Sequence, residues 1–238
     1  MFRIFIFGLL CVASVSLEAG TIINAGVGGN SSSDLLKRLE EDVLSKPGDI
    51  VIMMVGTNDS LNSRKLKSAA VFEEDLNSLV GQITGSGRRL VIMTLPPFVL
   101  DYLFSRHSAE AYGSIPPSER LESFNAIIRS LERGPSVLIV DIHAIFAEMG
   151  GATKEASSLI RNEANSGVKD GVHPTSEGYA VIANALHKEL ELAGWLEHAV
   201  EIVCFGDSIT FGAGMKKAGK AEPGGTNYPG HLARLLSP

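Results

Sequence analysis

Three short stretches of this chain carry side chains that could do chemistry together. Glu201-Ile-Val-Cys-Phe-Gly-Asp-Ser208 is an apolar run that breaks at Gly206 and then presents a serine. Such a run reads as a buried strand entering a sharp turn. A serine there, at the carboxyl end of a strand, is held where a substrate can reach it. Gly56-Thr-Asn-Asp59 follows a second apolar run and offers a side-chain amide, and Asp170-Gly-Val-His173 supplies a carboxylate and an imidazole from one stretch. Hydroxyl, imidazole and carboxylate are the parts needed for acyl transfer: a nucleophile, a base to take its proton and a group to orient the base. Each stretch alone also has an ordinary reading. Ser208 could sit in a solvated turn, and Asp170 and His173 could be an unremarkable loop pair.

Taken together, and with Gly29, these residues resemble the SGNH (GDSL-type) hydrolase family, named for its Ser, Gly, Asn and His. The resemblance covers nearly all of the chain after its first residues. It implies a Ser-His-Asp triad in which Ser208 attacks the carbonyl carbon. His173 removes the hydroxyl proton and later gives it to the leaving alcohol, and Asp170 holds the imidazole tautomer. It assigns the oxyanion hole to the backbone N–H of Ser208, the backbone N–H of Gly29 and the side-chain amide of Asn58. Gly26 and Gly28 lie close by, and choosing Gly29 rests on aligning Gly29-Asn-Ser with the family's Gly-polar-Ser/Thr pattern. One feature departs from the family: its serine block opens the domain, whereas here it closes the chain. The order resembles a circular permutation. The implied activity is hydrolysis of carboxylic esters with short acyl or acetyl groups, on a small ester or an acylated carbohydrate or lipid, without metal or cofactor. Two other readings stay open, a thioesterase or lysophospholipase on the same site and a non-catalytic carbohydrate-binding protein of the same fold.

The elements that must position these residues alternate along the chain. Apolar or β-branched runs at 201–206, 21–25, 49–55, 89–95 and 136–141 read as five strands. Asp49-Ile-Val-Ile-Met-Met-Val55 is apolar after its first residue, as expected of a parallel strand covered on both faces. Between the runs, apolar residues recur at helical spacing: Leu35, Leu36, Leu39 and Val43; about Lys65 to Thr84; about Ser118 to Arg133; His143 to Met149; Tyr179 to Ala193; and Tyr228 to Leu236. Lys154 to Ala164 has helical potential, the stretch from Phe98 to Pro117 reads as an irregular loop, and Gly56 to Ser60 reads as a loop. Alternation of this kind argues for an α/β fold with a parallel, doubly wound sheet. The family resemblance sharpens that to a five-stranded, flavodoxin-like three-layer α/β/α sandwich. It also requires the Ser208 strand to insert between the strands ending near Ala25 and Val55, with the two ends of the domain as neighbours.

The 238 residues suit one domain, read here as 20–238. A formal net charge of −6, with no run of Lys or Arg, argues against a nucleic-acid partner. Residues 1–19 begin with Met1-Phe-Arg3 and continue into an apolar stretch too short to span a bilayer comfortably. They read as a secretory signal peptide, which predicts a secreted or periplasmic protein with no membrane span in the mature chain. A buried strand or an uncleaved anchor is the other reading. Cys204 lies inside an apolar run and reads as a buried small hydrophobe. Asp207 reads as a backbone-bonding turn residue. His107 reads as a surface residue, and His143 as structural.

Overall fold

The computed structural model describes residues 21–131, 134–198 and 200–237; the stretch read as a signal peptide lies outside them. Five strands, β1 (Thr21–Gly26), β2 (Ile50–Met54), β3 (Arg89–Met93), β4 (Val137–Val140) and β5 (Glu201–Gly206), form one sheet in the order β1-β5-β2-β3-β4. Every neighbouring pair is parallel. Every residue of β2 is buried, as is β5 from Ile202 to Gly206, which is why these segments are continuous apolar runs. The strand carrying the serine block inserts between β1 and β2, as the motif order predicts. Its register aligns Gly206 with Gly26 on one side and with Met54 on the other, so three strand ends finish at one level.

The helices divide by direction of travel across the sheet. α1 (Ser32–Leu39), α3 (Ala69–Gly85) and α5 (Pro117–Ser130) follow β1, β2 and β3 as the chain steps toward β4. Right-handed crossovers put all three on one face, where α1 packs on α3 and α3 on α5. Phe72 and Phe124 stack between the last two with ring centroids 4.3 Å apart. α6 (Ile142–Glu148) and α8 (Ser176–Leu192) follow β4. The return step to β5 places α8 on the opposite face, with α6 and the final helix α10 (Tyr228–Leu235) against it. α10 also packs on β1, so the last helix and the first strand are neighbours. Among the described residues no helix is long and apolar enough to cross a membrane.

Local expectations were met in type more often than in detail. α1 continues into a π-helical turn, Glu40–Leu44. α3 begins at Ala69 rather than near Lys65, because the Ser68 hydroxyl accepts the Val71 N–H and caps it there. The residues after Gly56 are a short helix, α2 (Thr57–Leu61), not a loop. The stretch read as irregular contains α4 (Leu100–Phe104) and a 3₁₀ turn, Ala109–Tyr112. Lys154 to Ala164 is not a continuous helix: its polar side chains bond back to the local backbone, and Ile160 instead bridges to Pro174. Only α7 (Glu163–Ser166) is helical there, capped by Asn162. A last short helix, α9 (Ser208–Phe211), starts at the serine itself.

Candidate active site

The serine turn is built by close packing. A side chain at Gly206 would bring its Cβ to 2.5 Å from the Met54 carbonyl oxygen and 2.2 Å from Thr210 Oγ1, so only glycine lets β5 turn against β2. Asp207 caps α9 by accepting the Ile209 N–H at 2.8 Å, as expected of a turn residue. Ser208 is thereby held at the mouth of the sheet edge.

His173 reaches that serine from a loop with its own supports. Arg161 N–H donates to the His173 carbonyl at 2.9 Å and Gly171 N–H to the Arg161 carbonyl at 2.8 Å, so the loop is stitched to an extended neighbour. The Thr175 hydroxyl caps α8 immediately after it. His173 Nε2 lies 2.9 Å from Ser208 Oγ, and His173 Nδ1 lies 2.9 and 3.0 Å from the two Asp170 oxygens. The carboxylate accepts only, so Nδ1 carries the proton and Nε2 is free to accept from the serine hydroxyl. Asp170 Oδ1 also accepts the backbone N–H groups of Val172 and His173 at 3.0 Å each, and Arg161 Nη1 lies 3.2 Å from Oδ2. Burial alone would raise the Asp170 pKa. The hydrogen bonds and charge of His173, with the Val172 N–H, overcome it and hold the carboxyl well below the usual range.

Gly29, Asn58, His173 and Ser208 line one cleft of about 270 Å³, whose walls include Leu61, Leu103, Val172 and Ala213. Gly29 takes φ +77°, a left-handed conformation suited to glycine. Among the described residues the backbone N–H groups of Gly29 and Ser208 have no hydrogen-bond acceptor. The Asn58 amide donates to the Asn30 carbonyl at 3.0 Å and makes a long contact of 3.5 Å with Asp207 Oδ2. All five residues singled out in the sequence therefore converge on one sheet edge, Asp170 from behind the histidine.

Other residues around the cleft had no motif to mark them. His107, read as a surface residue, is half-buried in the cleft wall, where its Nδ1 lies 2.9 Å from the Ser63 hydroxyl. Burial, with Arg106 and Arg64 nearby, lowers its pKa. His143 is structural, as expected, with Nδ1 against the Leu95 carbonyl and the Asn125 amide. Asp59, fully buried, accepts the Ser32 N–H and hydroxyl and lies 3.1 Å from Lys67 Nζ.

A family model described as GDSL-like Lipase/Acylhydrolase matches residues 11–186. The chain belongs to this family. As a GDSL acylhydrolase it is a carboxylic ester hydrolase. It is 26% identical over 169 residues to an acetylxylan esterase of Geobacillus stearothermophilus, covering 71% of each chain. It is 30% identical over 175 residues to the uncharacterized lipoprotein YqeF of Bacillus subtilis (strain 168), covering 68% of this chain and 70% of that one. Among solved structures, a GDSL-like lipase from Bacteroides thetaiotaomicron VPI-5482 superposes with a TM-score of 0.51. That similarity has 20% identity over 69% of this chain and 73% of the other, and it supports the α/β fold.

Proposed function

We propose that this GDSL hydrolase is a serine esterase acting through an acyl-enzyme, with Ser208 as nucleophile, His173 as base and Asp170 as orienter. The observation that carries the reading is the unbroken line of hydrogen bonds from Asp170 through His173 to Ser208 Oγ. His173 Nε2 takes the hydroxyl proton as Oγ bonds to the ester carbonyl carbon. The carbonyl oxygen, now negative, receives the N–H groups of Ser208 and Gly29 and the Asn58 amide. Collapse breaks the bond to the alcohol, which leaves with the proton from His173. Water, deprotonated by the same imidazole, then releases the acid and restores the serine.

A cleft of about 270 Å³ favours a short acyl group. The acetylxylan esterase relative agrees with acetyl transfer from a carbohydrate. The motif order supports a circularly permuted domain over residues 20–238. The family match over residues 11–186 leaves the Ser208 block outside it. A catalytic mutant of the Geobacillus enzyme changes a serine near the start of that chain, whereas Ser208 follows here. The leader-like residues 1–19 and the lipoprotein relative support action outside the cytoplasm.

The test is a series of p-nitrophenyl esters from acetate to palmitate with wild type and Ser208→Ala. The expected result is turnover highest for the short esters and lost in the variant, with an unchanged circular dichroism spectrum. A folded Ser208→Ala protein that keeps more than a few per cent of the activity overturns the assignment.

A further inference from the structure

We infer that Arg38, a residue outside every motif, positions the oxyanion loops against one another and so sets the rate of the chemical step; the inference rests on the oxyanion assignment above. Arg38 lies in the last turn of α1, with its side chain only 15% exposed. Its Nε donates to the Asn30 side-chain oxygen at 2.7 Å. Nη1 donates to the Ala25 carbonyl at 2.9 Å and to Asp42 Oδ2 at 2.6 Å, and Nη2 donates to the Gly206 carbonyl at 2.7 Å. The guanidinium carbon stands 4.5 Å from the centre of the Phe205 ring. Four of the five N–H groups that a guanidinium carries are thus engaged.

The acceptors are the informative part. Ala25 lies at the end of the strand that leads to Gly29. Asn30 follows Gly29 directly. Gly206 begins the turn that carries Ser208, and it is 168 positions away in the chain. The third donor joins through the same residue, because the Asn58 amide bonds to the Asn30 carbonyl while Arg38 holds the Asn30 side chain. One planar, always-charged group therefore fixes the Gly29 and Ser208 loops relative to each other, with the Asn58 amide one bond further on. A lysine could not do the same, since an ammonium is a point donor without the fork that reaches acceptors on separate loops. The charge of Arg38 is balanced on the outer side by Asp42, one helical turn away, so the guanidinium does not depend on substrate for a counter-ion. No other connection of this kind crosses directly from α1 to β5 among the described hydrogen bonds.

Misplacement of a catalytic group by about 1 Å can cost on the order of 10²-fold in rate. Donors that act on the transition state affect turnover more than substrate binding. The experiment measures kcat and KM on p-nitrophenyl acetate for Arg38→Gln, Arg38→Lys, Asn30→Ala and Asn30→Asp, with melting temperatures and Ser208→Ala alongside. The expected result is a loss in kcat of at least about tenfold for Arg38→Gln, with KM changed less than about twofold. Arg38→Lys should recover only part of this. Asn30→Asp keeps the acceptor for Nε and should retain more kcat than Asn30→Ala, which should lose a few-fold.

A folded Arg38→Gln protein with wild-type kcat overturns the inference, as does a loss that follows only the folded fraction. If Arg38→Gln does not fold, the Asn30 pair decides: equal turnover of the Ala and Asp variants overturns it. The positioning role of Arg38 and the serine mechanism are tested separately. An inactive Ser208→Ala with unaffected Arg38 and Asn30 variants sinks the positioning role alone, whereas an active Ser208→Ala sinks the mechanism beneath it.

Discussion

Asp207 is a carboxylate beside Ser208 with no exposed surface, and replacing it with asparagine gives a sharp test of the electrostatics of the site. Its Oδ1 accepts the Ile209 N–H at 2.8 Å, while its Oδ2 has only the Asn58 amide at 3.5 Å. Burial pushes its carboxyl from 3.8 up to about 6, helped by the nearby charge of Asp59, against the opposing pull of the Ile209 N–H, His173 and Asn58. In the unfolded chain the group ionises near 4 and in the fold near 6. Between those values the folded chain holds the extra proton, so this group's contribution to stability falls as pH rises. Two pKa units correspond to about 3 kcal/mol, fully expressed above pH ~6 and absent below pH ~4. In Asp207→Asn the side-chain carbonyl would still accept from Ile209, but the group would not titrate. Its amide nitrogen would face the Asn58 amide, donor to donor, which subtracts from the gain. Asp207→Asn should therefore be more stable than wild type at pH 7.5 by up to about 3 kcal/mol, with the gap closing toward pH 4. Urea unfolding followed by circular dichroism at several pH values between 4 and 8 measures the difference curve. A difference that is flat across that range, or that grows toward acid, refutes the reasoning.

Asn58→Ala should lower turnover by about 10²–10³-fold on a short ester while KM changes less, and single-turnover kinetics will separate the two; a variant impaired only in KM contradicts the oxyanion role. Cys204 is completely buried, and burial pushes its thiol up to about 12. Native protein at pH 8 should leave iodoacetamide unreacted at this thiol, and mass spectrometry should find it alkylated only after denaturation. Gly206→Ala should cost folding or activity outright, because its Cβ would meet the Met54 carbonyl at 2.5 Å; a soluble variant with wild-type turnover would show that the turn has room to move.

The amino-acid sequence by itself determined the class of fold and singled out residues that the fold then brings together at one sheet edge. Strand and helix periods are local: β2 is apolar at every position because both of its faces are covered, and that pattern is visible without knowing what covers them. Motif order even dictated that β5 insert between β1 and β2, since only there do the loops after Gly26, Met54 and Gly206 meet. Tertiary structure alone decided what no period encodes. The segment 154–164 has helical composition, yet its backbone pairs with the loop of His173 and its polar side chains bond to the local backbone instead. His107 reads as solvent-facing until α4 and the turn that follows carry it into the cleft wall. Arg38 looks like an ordinary charge on the polar side of an amphipathic helix. Besides Asp42 on the next turn, its acceptors are carbonyls at Ala25 and Gly206 and an amide oxygen at Asn30, and backbone carbonyls look alike in every sequence. Only the folded chain brings these last three within reach of one guanidinium.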